Sequence, residues 1–147
     1  MSFGSTFQND LLKLIFNGTA ISLVADNALL TPSTNLYVSL HSADPTGGTQ
    51  GTNETTGYTG YARVAVARTS SGWTVGSTAV NVVAPAINVD FPQMTAGTSY
   101  TATYAAIGLS SNSTSGKIIA SGAITPSIAI QTNVIPRLTT ASTFTLS

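Results

Sequence analysis

The sequence predicts an all-β fold, a β-sandwich of jelly-roll type with one short helix near the N-terminus. Roughly seven to nine short runs of apolar and Thr residues follow residue 35, at spacings typical of sandwich strands. Gly, Ser and Pro separate these runs, as they do at turns between strands. A repeat of three to four residues, which is typical of a helix, occurs only before residue 17.

The helix is predicted over residues 6–16, where apolar side chains form one stripe. The stripe consists of Phe7, Leu11, Leu12, Ile15 and Phe16. Asn17-Gly18 follows directly and supplies a left-handed stop. Because so short a helix gains most of its stability from packing, we expect it to dock on the domain or on a neighbouring subunit. Phe7, Leu11 and Phe16 are therefore candidate interface residues.

The remaining chain is predicted to form strands within one domain, residues 1–147, of which residues 1–20 are an N-terminal arm and helix. The main strand candidates are residues 36–41, residues 61–68, a strand that begins with Trp73 and Val75, residues 80–91 as a strand pair or one strand bent near Pro85, and residues 100–109, 117–124, 128–135 and 138–146. Residues 45–60 contain almost no apolar side chains, which predicts a long exposed loop. Within this loop Tyr58 is the best candidate for an exposed contact.

The composition favours a protein that is bound into an assembly. Charged residues make up 7% of the chain, against roughly 25% in ordinary soluble domains. Polar character comes instead from 24 Thr and 18 Ser. The five cations are scattered, so neither nucleic acid nor a membrane surface is an expected partner. A neutral surface with so few charges gains when neighbouring subunits cover it.

The inventory of reactive side chains argues against an enzyme. His41 is the only histidine, and Cys is absent, so the common zinc arrangements are not expected. A Ser-His-Asp triad using His41 and Asp44 is formally available, but no Gly-x-Ser-x-Gly motif accompanies it. We expect His41 to be hydrogen-bonded at a sheet edge and the few acids to cap turns. The sequence therefore predicts no catalytic residue, metal or cofactor.

The aromatic residues allow two interpretations. Tyr58, Tyr61, Trp73, Tyr100 and Tyr104 are of the type that forms sugar-binding platforms. Tyr61, Trp73 and Tyr104 lie in or beside predicted strands, however, which favours a role in the core or at an interface.

An ordered series of short segments resembles a family of small bacteriophage virion proteins. The segments are residues 16–19 (FNGT), 36–45 (LYVSLHSADP), 60–64 (GYARV), 89–92 (VDFP), 107–109 (IGL), 117–124 (KIIASGAI) and 135–138 (IPRL). The series covers most of the chain. Many members of this family are labelled tail-fibre or minor tail proteins, and related β-sandwich proteins serve as capsid cement. The resemblance implies a virion location and carries no catalytic motif.

Two functions follow from this resemblance. The first is a capsid cement protein, typically a homotrimer, that bridges and stabilises capsid subunits. Its partner would be the major capsid protein or another virion protein, reached through the N-terminal segment and the loop at 46–60. The second is a tail-fibre or receptor-binding module that contacts host-surface glycans. The compact length favours cement. A tail-borne glycan hydrolase is a third interpretation, which the sparse acids and single histidine disfavour.

Overall fold

The computed structural model describes residues 5–21, 32–45, 47–76 and 81–146. Residues 1–4 of the predicted arm and Thr46 of the predicted loop lie outside the described residues. Strands predominate and one short helix precedes them, so the all-β prediction is confirmed. The jelly-roll order of strands stays a prediction. In the described part of the chain, no helix is long and apolar enough to cross a membrane.

The helix α1 spans Ser5–Leu12, and a π-helical turn continues it over Lys13–Asn17. The strands within the described ranges are β1 (Asn35–His41), β2 (Tyr58–Thr59), β3 (Val64–Ala67), β4 (Trp73–Val75), β5 (Val82–Pro85), β6 (Val89–Asp90), β7 (Ala96–Gly97), β8 (Tyr100–Gly108), β9 (Ile118–Ile130), β10 (Arg137–Leu138) and β11 (Phe144–Thr145).

The chain forms two compact units, and neither is continuous in sequence. The first contains residues 1–35, 66–88 and 139–147, and the second contains residues 36–65 and 89–138. The chain passes from one unit to the other within β1 and β3 and again after residues 88 and 138. That all 147 residues form a single domain stays a prediction.

The first unit packs the helical segment on aromatic and aliphatic side chains. Phe16 is 1% exposed and meets Trp73 edge to face, with ring centroids 5.0 Å apart. A three-stranded sheet of order β11-β5-β4 supplies the buried Val83. Gly18 ends the helical segment in the left-handed region, at φ +66°, as Asn17-Gly18 predicted. Packing and a local stop together therefore place this segment.

The second unit is built on a four-stranded sheet of order β3-β1-β8-β9. Antiparallel pairing places Val38 opposite Ile107 and His41 opposite Tyr104. Since successive side chains of a strand point to opposite faces, Leu40 shares one face of β1 with Val38, and Ser39 shares the other with His41. All four of these β1 side chains are buried. The sheet is therefore covered on both faces at this strand, and one of its covered faces is polar.

The polar segment 45–60 is anchored from within the second unit. Gln50 is fully buried, and a Cβ placed on Gly108 or Gly116 would come within 2.3 Å of its side-chain atoms. Its amide donates to Ser110 O (3.2 Å) and its Oε1 accepts from Ser110 N (2.8 Å). The side chain of Gln50, inserted between Gly108 and Gly116, therefore anchors this segment to the connection that contains Ser110. Much of the segment is nevertheless exposed.

Phe16→Ala tests whether the edge-to-face packing holds the helical segment. We expect the free energy of unfolding to fall by about 3–5 kcal/mol, since a buried aromatic side chain is lost and a cavity remains. Urea unfolding followed by fluorescence measures the change. Ile87→Ala is the matched control: Ile87 is 63% exposed, so its truncation should change stability by less than about 0.5 kcal/mol. Equal losses in the two variants would contradict this packing.

Candidate functional site

A buried ion pair lies at the centre of the second unit's polar region. Arg63 Nε and Nη2 donate to Glu54 Oε1 and Oε2, both at 2.7 Å, and each side chain is only 3% exposed. Such a fork-to-fork pair fixes both the position and the orientation of its members. Glu54 is placed by its backbone, which forms an isolated antiparallel bridge with His41 at the end of β1.

The remaining guanidinium nitrogen of Arg63 holds the connection between β8 and β9, residues 109–117. Its Nη1 donates to Ser110 O at 2.9 Å and to Ser113 O at 3.1 Å. The hydrogen bond to Glu54 is the main cause of the raised pKa of Arg63, so this side chain stays charged. The Arg63 side chain therefore links the segment that contains Glu54 to the β8–β9 connection, about 50 residues further along the chain.

Tyr61 donates a third hydrogen bond to the carboxylate of Glu54. Its hydroxyl donates to Glu54 Oε1 at 2.7 Å and accepts from Leu40 N at 3.4 Å. Its ring meets Tyr58 edge to face at 5.4 Å. Burial, followed by the charge of Glu54, raises the pKa of Tyr61 far above its ordinary value. The phenol therefore stays protonated and acts as a hydrogen-bond donor.

His41 and Ser39 form a second buried polar pair on the same unit. Because Thr52 O can only accept, the 2.8 Å contact assigns the proton of His41 to Nδ1. Nε2 is then the acceptor for the Ser39 hydroxyl, also at 2.8 Å. Both side chains are fully buried. Burial lowers the pKa of His41 below 6.5, although the bond to Thr52 works in the opposite direction.

An open groove of about 290 Å³ lies beside the ion pair, and we call it the Glu54–Arg63 groove. Its lining residues are Glu54, Thr56, Tyr61, Ala62, Arg63, Ser111 and Asn112. Thr56, Ala62, Ser111 and Asn112 are exposed. Within the described ranges, the side chains of Thr56, Ser111 and Asn112 make no hydrogen bond. The groove thus combines a rigid charged floor with a neutral polar rim.

The four predicted interface residues differ from one another in how far they are exposed. Tyr58 was expected to be exposed, and this is wrong: it is 3% exposed and its hydroxyl donates to Pro92 O at 3.1 Å. Phe16 is buried in the first unit, whereas Phe7 and Leu11 are half-buried there. None of the four lines the groove. That they contact a partner stays a prediction.

Two expectations about polar residues also need correction. His41 is hydrogen-bonded as expected but does not lie at a sheet edge, because β1 lies between β3 and β8. Its Nδ1 donates to Thr52 O, so Asp44 does not take the orienting role of a triad. Glu54 pairs with a cation and does not cap a turn. In the described part of the chain, no group of three or more acidic or histidine side chains could hold a metal ion.

Sequence reasoning missed Arg63 as a buried residue. In the sequence, Arg63 and Ala65 alternate with Val64 and Val66, a pattern that is typical of a strand with one buried face and predicts that Arg63 lies on the exposed one. Ala65 is exposed and Val66 buried as expected, but β3 begins only at Val64, and Arg63 turns inward to Glu54. The available signal for the Glu54–Arg63 pair was that an acid and a cation lie only nine residues apart, with Tyr61 between them, in a chain with so few charges.

The comparisons with known proteins identify the family. The model of the family described as podophage GP4 fiber I protein gp80 matches residues 2–145. The chain belongs to this family. No curated protein matches it. As a member of this family, the chain is a bacteriophage virion structural protein, located in the virion and associated with other virion proteins. The resemblance to phage virion proteins is thereby confirmed.

Arg63→Met tests the buried ion pair. We expect a loss of about 3–5 kcal/mol in the free energy of unfolding, because Glu54 is left charged and buried without its partner. Chemical denaturation measures the loss. The double variant Glu54→Gln/Arg63→Met, which also removes the charge of Glu54, should recover part of the lost free energy of unfolding. The control is Arg137→Met, which removes an ion pair with Asp90 that has the same two contacts but is about half exposed. That variant should differ little from the parent chain, and a comparable loss there would contradict our interpretation.

The pH dependence of stability should report His41. Its pKa is lowered in the folded chain, so below pH 6.5 the unfolded chain binds a proton more readily than the folded chain does. Stability should therefore fall as the pH decreases from 6.5 to about 5, before most carboxylates titrate. His41→Gln removes this titration, and no other histidine is present. Identical slopes of unfolding free energy against pH in the two proteins would show that His41 is not responsible.

Proposed function

We propose that this member of the fiber I family is a fibre subunit that acts by binding and has no catalytic step. The observation that carries the proposal is the family match, which extends over residues 2–145 and so over nearly the entire chain. A match of this extent includes both compact units. The proposal favours the fibre interpretation over capsid cement, the function that the compact length favoured.

The geometry of the polar region supports a binding role. Ser39 and His41 are within hydrogen-bond distance, as a nucleophile and its base are, but both are fully buried and the imidazole is oriented by a backbone carbonyl. Glu54 already accepts three hydrogen bonds from protein donors. A carboxylate that already accepts three hydrogen bonds is suited to holding neighbouring residues in place and poorly suited to acting as a general acid or base. The groove beside it is therefore a preorganised surface.

The exposed composition also fits subunit association. The protein carries 24 Thr and 18 Ser and only ten charged residues, and in the described part the exposed large apolar residues are Ile87, Leu109, Val134 and Ile135. Neutral hydroxyl-rich surface is desolvated at lower cost than charged surface when subunits associate. The homotrimer expected from the resemblance extends this proposal, and light scattering on the purified chain measures it.

Particles assembled without the protein distinguish the two virion roles. We expect such particles to adsorb poorly to host cells and to withstand heating and osmotic shock as well as complete particles do. Adsorption assays and thermal release of DNA measure the two properties. Cryo-electron microscopy of complete particles should then show the density of the chain on the tail. Density on the shell, together with rupture at lower temperature, would overturn the fibre proposal in favour of cement.

A further inference from the structure

The rim of the Glu54–Arg63 groove offers groups that both donate and accept hydrogen bonds. Thr56 and Ser111 contribute hydroxyls, and Asn112 contributes an amide. Within the described residues, none of these three side chains makes a hydrogen bond. Tyr61 and Ala62 add an aromatic ring and a methyl group to the lining. The groove therefore presents mixed polar and apolar chemistry over a small area.

The floor of the groove does not favour an anion. Arg63 has five N–H donors, and four are committed: one from Nε, two from Nη1 and one from Nη2. A carboxylate or phosphate ligand gains most from a guanidinium that presents two parallel donors, which this one cannot do. Glu54 also neutralises the charge of Arg63 at 2.7 Å and would repel an incoming anion. An anionic ligand thus finds neither net charge nor a fork of donors.

The size and chemistry of the groove match a sugar ring. Its volume of about 290 Å³ lies near the lower end of the range for small-molecule sites, roughly 300–1,000 Å³. A neutral pyranose carries hydroxyls that donate and accept, together with C–H faces that pack on aromatic and methyl groups. The hydrogen bonds of Arg63 to Ser110 O and Ser113 O fix the backbone on either side of Ser111 and Asn112. A rim held in advance in this way lowers the entropy cost of binding.

We propose that the Glu54–Arg63 groove binds one neutral pyranose unit of a surface polysaccharide, recognised by Thr56, Ser111 and Asn112. For its biological use, contact with a host surface, the inference rests on the proposed fibre function. The binding itself depends only on the second unit and is therefore testable on the isolated chain.

Nuclear magnetic resonance of the isotope-labelled full-length chain tests the site. The probes are the methyl glycosides of glucose, galactose, mannose and rhamnose, with glucuronic acid and N-acetylneuraminic acid as anionic comparisons. We expect at least one neutral glycoside to shift the amide signals of Thr56, Ser111 and Asn112, with a Kd on the order of millimolar. The two acids should bind at least several-fold more weakly. A stronger response to the acids, shifts centred elsewhere, or no shift with any glycoside would overturn the proposal.

Substitutions at the rim locate the contact. Asn112→Ala and Ser111→Ala should each weaken binding roughly three- to tenfold, the effect of losing one or two neutral hydrogen bonds. Both side chains are exposed, so the fold should be unaffected, and the amide spectrum checks this. Gln131→Ala is the matched control, because Gln131 is an exposed amide residue that does not line the groove. An equal loss in this control would contradict the assignment.

The outcomes for the groove and for the fibre role are separable. If particles carry the chain on the tail and no glycoside binds, the groove assignment alone is wrong. If the chain lies on the shell and glycosides still shift the groove amides, the fibre role is wrong and the sugar site stands.

Discussion

A carboxylate and a guanidinium that are removed from water must find nearly all of their hydrogen bonds within the protein, or the fold loses several kcal/mol. Glu54 and Arg63 satisfy this requirement with each other, with the phenol of Tyr61 and with two backbone carbonyls. Because these partners come from two parts of the second unit, residues 54–63 and the β8–β9 connection, forming all of these contacts requires both parts to be in place. The pair therefore specifies geometry, and its net contribution to stability is secondary.

Much of the surrounding polar structure depends on this constraint. Within the segment at 45–60, Thr52 O is the acceptor for His41, which shares its face of β1 with Ser39. Gln50 joins the same segment to the β8–β9 connection through both ends of its amide. The ion pair and Gln50 thus fasten one connection to another at two points. Both connections contribute residues to the lining of the groove.

Local patterns in the sequence were sufficient for the helical segment and for several of the strands, but not for the single long strand β9, which was predicted as two strands. Apolar residues at helical spacing before Asn17-Gly18 placed the helical segment and its left-handed end, because both signals lie within a few residues. Alternation and β-branched residues placed most of β1, β3 and β8 in the same way. These features depend on the period of side chains along one element, which a sequence displays directly.

The candidate site was not predictable in this way, because burial of a polar residue depends on partners far away in the chain. Nothing near Gln50 indicates that Gly108 and Gly116 leave space for its side chain. Tyr58 stands alone in a polar stretch and looks exposed, yet its hydroxyl finds Pro92 O, 34 residues later. Arg63 fitted a strand pattern that begins one residue after it. In each case a distant contact overrides the local pattern.

The discontinuous first unit has a consequence for the order in which the chain is made. β5 lies between β4 and β11, and β11 pairs with it through Phe144 opposite Val83. Leu146 N also donates to Asn81 O. Until the ribosome has synthesised residues 144–146, the edge of β5 that pairs with β11 lacks this partner. An open edge rich in Val is a template for pairing with another nascent chain. The nascent chain is therefore vulnerable to aggregation until β11 has been synthesised and has paired with β5.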